Sequence, residues 1–307
     1  MKHFWSLKDV NLKNVWLTIG SFDGVHRGHQ EIVKRLSDQS HTAGAEAVVL
    51  TFYPHPAAVL RGRDDPFYLT TPEERAYLLG IFGADVVITH KFNSEIANLS
   101  ARDFLSRLDK HLDFRQLWVG YNFAMGKNRD GDTDKLRVLG IELDYQLKEI
   151  KPIKIGGQVI SSSRIREHLR AGEVTGAAKL LNRPYQIQGK VISGDGRGRT
   201  LGIPTANLAY WPKRILPKPG VYACRALINN RQWKAVTNIG IRPTFEQYNE
   251  KIHVETHILD FNHDIYGEQI KLEFQSRLRD ERRFPNLETL IKQIQSDISQ
   301  ARSQLSA

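Results

Sequence analysis

Two histidines, His26 and His29, stand three residues apart in Gly20-Ser-Phe-Asp-Gly-Val-His-Arg-Gly-His29, directly after the apolar run Val15-Trp-Leu-Thr-Ile19. At a helix entry that spacing puts both imidazoles on one side, beside free backbone N–H groups and the positive end of the dipole. Gly20, Gly24 and Gly28 let the backbone pass close to a ligand, with Phe22 and Asp23 between them. This is a frame for a triphosphate, and imidazole donors there stabilise the charge that builds on an α-phosphate under in-line attack. Asp23 either orients the loop or helps to hold Mg²⁺. The rival readings are a metal pair or two structural histidines; the His-Glu-x-x-His of a metalloprotease is absent. Downstream, Ser161-Ser-Ser-Arg-Ile-Arg166 offers Ser162 and Arg164 as a second anion cradle at a helix start. Its alternative is an ordinary N-cap with surface arginines.

A second constellation lies in Gly196-Arg-Gly-Arg-Thr-Leu-Gly-Ile-Pro-Thr-Ala-Asn207. Gly196, Arg197, Gly198 and Arg199 suit a flap over phosphates. Pro204 fixes the local backbone, so that Thr205 and Asn207 can offer oxygens to a hard cation such as Mg²⁺. A glycine-rich surface loop is the bland alternative. Glu255 sits in Ile252-His-Val-Glu-Thr-His-Ile-Leu259, where alternation puts Val254, Thr256 and Ile258 on one side and His253, Glu255 and His257 on the other. A carboxylate there is either solvated or aimed into a cavity, where it can deprotonate a primary alcohol beside a nucleotide. No Walker motif explains the phosphates: Gly120 and Gly126-Lys127-Asn128 have five residues between the glycines and lack the hydroxyl.

The elements that must carry these residues change character along the chain. The first half alternates strand and helix patterns: strands over Val15–Ile19, Ala47–Phe52, Val86–Thr89 and Leu117–Val119, helices over Gln30–Thr42, from Thr71-Pro72, and over Ser100–Lys110. Such alternation implies crossovers, hence a parallel sheet with helices on both faces. The second half holds short strand patterns at Gln186–Ile192, Val221–Ile228, Gln232–Ile239, Ile252–Leu259 and Gln269–Arg277, which suit an antiparallel barrel. A final helix from Leu287 to about Arg302 carries Leu287, Leu290, Ile291, Ile294 and Ile298 on one face. The join is expected near Asn182-Arg-Pro184, giving domains 1–183 and 184–307.

The histidine loop followed far downstream by Ser-Ser-x-x-x-Arg resembles the nucleotidyltransferase superfamily, whose domain is an α/β, Rossmann-like parallel sheet. More narrowly, Thr51-Phe-Tyr-Pro-His-Pro56, Val119-Gly-Tyr-Asn-Phe123 and Ser161-Ser-Ser-Arg-Ile-Arg166 look like the FMN adenylyltransferase module of bacterial FAD synthetases. Pro204-Thr-Ala-Asn207, Gly220-Val-Tyr222, Asn238 to Phe245, Val254 to Phe261, Tyr266-Gly267 and Leu278 to Phe284 are similar to the riboflavin kinase family, a small antiparallel β-barrel. The resemblance covers about residues 12–302. It implies a two-step synthesis, riboflavin to FMN and FMN to FAD, with ATP as co-substrate twice and Mg²⁺ as the metal. His26 and His29 are implied at the ATP phosphates, Ser162 and Arg164 at pyrophosphate, Asn122, Arg242 and Arg279 at the flavin, Thr205 and Asn207 at Mg²⁺, and Glu255 as the base. Three positions depart from the family pattern: Met125 for Phe, Tyr53 for Asp and Ile241 for Thr.

A net charge of +10 is spread over both halves, with no basic tail; it attracts anionic small molecules such as nucleotides and equally tolerates nucleic acid, so charge alone does not decide between them. The single Cys224 excludes an internal disulfide and a cysteine-based zinc site. No long apolar stretch occurs, so a soluble, cytoplasmic protein without a membrane partner is expected. The family resemblance adds the expectation of small-molecule ligands and no nucleic acid. Two other readings stand beside this one. The first is a nucleotidyltransferase with a different small phosphate or alcohol acceptor, which leaves Thr205, Asn207 and Glu255 without a task. The second is non-catalytic, a nucleic-acid-binding module carried by the basic charge or a fragment related to tRNA synthetases; the Lys-Met-Ser-Lys-Ser loop that such synthetases carry is absent.

Overall fold

The computed structural model describes residues 1–194, 198, 201–242 and 251–306. It divides into two compact units, Met1–Ser162 and Ser163–Ala307.

The first unit is built on six parallel strands, β1 (Lys2–Phe4), β2 (Val15–Ile19), β3 (Glu46–Tyr53), β4 (Val86–Lys91), β5 (Phe114–Gly120) and β6 (Gln146–Ile150), in the order β1-β4-β3-β2-β5-β6. The central strands are apolar on both faces because helices cover both. The helices are α1 (Arg27–Thr42), α2 (Pro56–Arg61), α3 (Pro72–Ile81), α4 (Ser94–Ala97), α5 (Ala101–Leu112) and α6 (Thr133–Glu142). Leu17, Leu50 and Ile88 meet Phe104 and Leu105 of α5 and Leu136 and Leu139 of α6. On the other side, Val49 and Val87 meet Val33 of α1 and Leu78 and Leu79 of α3. Thr71 caps α3 and forms a capping box with Glu74, as Thr71-Pro-Glu-Glu predicts.

The chain leaves β2 for β3 and β4 on one side and returns to β5 and β6 on the other. The crevice beyond the carboxyl ends of β2 and β5 is therefore the topological switch point, where open α/β sheets bind ligands. Gly20 and Gly120 close those two strands. The sequence reading contains four of the six strands; β1 has only three residues, and β6, Gln-Leu-Lys-Glu-Ile, is a largely polar edge strand with little apolar signal.

A short ribbon, β7 (Lys154–Ile155) with β8 (Gln158–Val159), precedes helix α7 (Ser162–Ala171), and α8 (Val174–Leu181) follows it. Within the second unit α8 packs on a closed antiparallel barrel of β9 (Tyr185–Ile192), β10 (Ala206–Tyr210), β11 (Gly220–Ile228), β12 (Arg231–Arg242), β13 (Lys251–Ile258) and β14 (Gln269–Arg279), ordered β10-β13-β12-β11-β14-β9. The strand missing from the sequence reading is β10, which pairs with both β9 and β13 and closes the barrel. Helix α9 (Leu287–Gln304) lies across β11, β12 and β14. Its buried face is shifted from the expected one: Ile298, Ala301 and the following Leu305 meet Val221, Ala223 and Val236, whereas Leu287 is exposed. Asp297 is the reason, because this carboxylate is buried to meet Arg279 of the barrel.

Candidate functional site

After β2 the chain makes a tight turn in which Phe22 and Val25, both non-glycine, take left-handed φ values of 47° and 41°, and Gly24 takes 84°. The turn ends at His26, which caps α1: its Nδ1 accepts the His29 N–H at 3.4 Å. The two rings stack, with centroids 3.6 Å apart and planes 15° from parallel, and Phe22 meets the His29 ring edge-on. The expected common side for both imidazoles is what the helix entry provides. Gly28 permits the stack, since a Cβ there would come 3.2 Å from the His26 ring.

Burial, then the neighbouring His26 and the Arg75 charge, hold the His29 imidazole well below its ordinary pKa. A neutral ring has one donor and one acceptor nitrogen. The buried Nδ1 of His29 has no hydrogen-bond partner among the described residues. Each neutral ring can donate one N–H to an anion. No group of three His, Cys, Asp or Glu able to hold a metal occurs among the described residues.

Of the two readings of Asp23, the structure supports orientation of the loop. Its carboxylate is buried, accepts the Leu69 and Thr70 N–H groups and the Thr70 hydroxyl at 3.0–3.1 Å, and lies 3.7 Å from the buried Arg75 guanidinium. Ser162 donates its hydroxyl to the Asp23 carbonyl at 2.8 Å, so it clamps the turn. Arg164 lies in the first turn of α7 and is half-buried; Arg166 is the buried member of that pair. Asn122 is exposed in the loop after β5, its carbonyl accepting from Arg129. That loop is pinned at its far end, where Met125 and Gly131 exchange backbone hydrogen bonds and Asp130 accepts the Ala101 N–H. Gly20 and Asn122 therefore belong to loops leaving adjacent strands, β2 and β5, at the switch point. Arg75 and Thr70 are neighbours of this turn that the sequence reading does not single out, and Thr51 enters it only as the first residue of the Thr51–Pro56 motif.

The second unit holds a cavity of about 400 Å³ lined among others by Gly194, Gly198, Thr205, Asn207, Thr256 and Tyr266. Two glycines bring backbone against the polar side chains. A Cβ on Gly194 would lie 2.1 Å from the Asn207 amide nitrogen, and one on Gly198 would lie 3.2 Å from the Thr205 hydroxyl. His257 holds the Pro204 carbonyl from Nδ1 at 2.8 Å, which fixes the turn into Thr205. On β13, Val254, Thr256 and Ile258 face inward and His253, Glu255 and His257 are half-buried on the outer side, as alternation predicts. Asn207 of β10 and Asn238 of β12 both pair in register with Glu255.

Gly196, Arg197 and Arg199 lie outside the described residues. Arg242 pairs through its backbone with Lys251 at the end of β12, and its side chain lies outside the described part. Arg279 does not point free toward a ligand. It makes a two-pronged ion pair with buried Asp297, at 2.8–3.0 Å, and donates to the Asp280 carbonyl.

A family described as FAD synthetase matches residues 8–164, and one described as riboflavin kinase matches residues 181–305. The chain is 37% identical to a bifunctional riboflavin kinase/FMN adenylyltransferase of Bacillus subtilis (strain 168), over 96% of this chain and 93% of that one. It is also 37% identical to a protein of the same name from Pseudomonas fluorescens, over 93% and 91% of the two chains. A crystal structure of a macrolide-efflux protein from Streptococcus pneumoniae superposes with a TM-score of 0.89 at 30% identity, covering 98% of each chain. Among the described residues here, no helix is long and apolar enough to cross a membrane.

Proposed function

The chain belongs to the family of bifunctional riboflavin kinase/FMN adenylyltransferases, and from that premise we propose which residues carry each of its two reactions. The enzyme is a transferase that phosphorylates riboflavin with ATP and then transfers AMP from a second ATP to FMN, giving FAD and pyrophosphate.

Phosphorylation belongs to the barrel, within residues 184–307. The register of Asn207 beside Glu255 carries this assignment: Asn207 and Thr205 line the cavity, whose glycines press on both, and Glu255 stands next to Asn207 without lining it. Glu255 accepts the proton of the ribityl 5′-hydroxyl as that oxygen attacks the terminal phosphorus of ATP. Thr205 and Asn207 would hold Mg²⁺. Both are hard, neutral oxygen donors, and a site with few protein ligands suits an ion that takes its other oxygens from water and phosphate. When bound, the ion supplies neutralisation of phosphate charge. His257 keeps the Pro204–Thr205 turn in place.

Adenylyl transfer belongs to residues 1–183. His26 and His29 bind the triphosphate at the α1 N-terminus, where dipole and free N–H groups add to the imidazole donors. The phosphate of FMN itself attacks the α-phosphorus, so no covalent enzyme intermediate is needed. Gly20, Gly24 and Gly28 admit the nucleotide, Asp23 and Ser162 hold the turn, Arg164 receives pyrophosphate and Asn122 contacts the flavin side. Small molecules are its ligands, with no nucleic acid or membrane partner, and it works in the cytoplasm.

Chromatography of riboflavin, ATP and Mg²⁺ incubated with the purified protein tests the reading. FMN and FAD should both accumulate; unchanged riboflavin overturns it.

A further inference from the structure

Arg75 is the largest fully buried side chain among the described residues, and neither reaction as assigned above uses it. One guanidinium nitrogen donates to the Thr51 hydroxyl at 3.1 Å and to the Phe52 carbonyl at 3.0 Å. A second lies 3.7 Å from the Asp23 carboxylate. Thr51 in turn donates its hydroxyl to the Ser21 carbonyl at 2.9 Å. The turn after β2 is thus held at two points, at Ser21 by hydrogen bonds through Thr51 and at Asp23 by a 3.7 Å ion pair. A third anchor completes the hub: Thr70 donates to Asp23 and accepts the Gly24 N–H at 3.1 Å.

The turn needs such anchoring. Left-handed backbone at Phe22 and Val25 is uphill for residues with a Cβ and persists only where the surroundings over-determine it. A buried guanidinium is itself costly unless paired and hydrogen-bonded, so its retention under this turn calls for a reason. Phe22 and His26 both follow directly from the turn's shape; His29 stacks on His26 and meets Phe22 edge-on.

We infer that Arg75 is a positioning residue for adenylyl transfer, holding the Ser21–Val25 turn in the shape that aims His26 and His29 at the nucleotide phosphates. The inference rests on the adenylyl-transfer reading above. Arg75 touches neither substrate; it acts through Asp23 and Thr51. A lysine keeps the charge but, as a point donor on a thinner stem, cannot span Thr51, Phe52 and Asp23 together.

The test uses the full-length enzyme carrying Arg75→Lys, with Thr51→Val as a gentler variant that cuts only the Ser21 arm. Adenylyl transfer is measured from supplied FMN, and the fraction folded is read from the thermal transition. Wild-type enzyme must first convert FMN to FAD; if it does not, the functional reading fails before this inference is reached. For Arg75→Lys, kcat should fall about 100-fold and KM for ATP should rise about tenfold, with KM for FMN unchanged. Thr51→Val should move the same two constants in the same direction by less. Riboflavin phosphorylation should be unaffected in both. A lower kcat that merely tracks lost folded protein, with KM for ATP unchanged in both variants, overturns the inference, as does full activity in folded Arg75→Lys.

Discussion

Asn207 and Glu255 are register partners on β10 and β13, and Asn238 of β12 is the partner of Glu255 on its other side. Register partners in antiparallel strands project from the same face. The proposed base is therefore flanked by two amides, one of which belongs to the proposed magnesium site. Glu255→Gln preserves this arrangement and removes the proton acceptor. FMN formation should fall a hundredfold or more, roughly the range for loss of a general base, while FAD synthesis from supplied FMN continues. His29→Ala should give the mirror image, with FMN accumulating and little FAD. If either variant, still folded, lost both activities, the division into two sites would be wrong.

His257 gives a subtler expectation. Its Nδ1 must carry the proton, because the Pro204 carbonyl can only accept. His257→Ala frees that carbonyl and loosens the turn that presents Thr205 and Asn207. One hydrogen bond contributes about 1 kcal/mol, so KM for Mg-ATP in the kinase reaction should rise roughly fivefold. His257→Gln, which retains a donor, should recover part of that. Initial rates of FMN formation against Mg-ATP concentration distinguish the two variants, and equal KM values in all three proteins would remove the role.

Arg279 and Asp297 set a structural role against a flavin-binding one. The pair is mostly buried, joining β14 to α9. Asp297→Ala leaves a buried guanidinium without its counter-charge and should cost about 3 kcal/mol of second-unit stability. The double variant Arg279→Met with Asp297→Leu removes both charges and should regain most of it. Riboflavin affinity in that double variant decides the matter. Unchanged affinity identifies Arg279 as a strut between barrel and helix; lost affinity with restored stability would return it to the flavin site.

These cases show which parts of the molecule are legible in the sequence. The α/β alternation, the capping box at Thr71 and Glu74, and the His26–His29 pair depend on local spacing, and local spacing is what a sequence displays. Glu255 was placed on the correct face of its strand by alternation alone. Long-range pairings were not visible. Strand β10 is short and follows a turn-rich stretch, so only its pairing with β9 and β13 reveals it. By spacing alone Asp23 suits metal binding as well as loop orientation; what separates the two lies far along the chain, in the Leu69 and Thr70 N–H groups and the Thr70 hydroxyl that its carboxylate accepts. The resemblance implies Arg279 at the flavin, and the motif around it gives no sign of Asp297, its ion-pair partner from a helix beyond the motif. Met125, a departure from the family pattern, packs against the first-unit core and bridges Gly131, and a flexible thioether can fill a gap shaped for a ring.

His90 carries the last expectation, a pH dependence. It lies near the end of β4, buried, and neither ring nitrogen has a hydrogen-bond partner among the described residues. Burial is the main cause of its lowered pKa; Arg107 and His111 lower it further, and Glu95 opposes them. His29 is lowered as well, chiefly by burial. In the folded protein both rings stay neutral at pH values where the unfolded chain, titrating near 6.5, already binds protons. Stability is therefore complete above that value and falls as pH drops through it, until the folded rings also protonate. Each ring contributes a slope of up to about 1.4 kcal/mol per pH unit within that window. His90→Phe removes one such group without emptying its space. Thermal melts of the first-unit transition between neutral pH and pH 5 should fall less steeply for His90→Phe than for wild type. Identical slopes would mean that His90 is already protonated in the folded state, against the burial that the structure gives it.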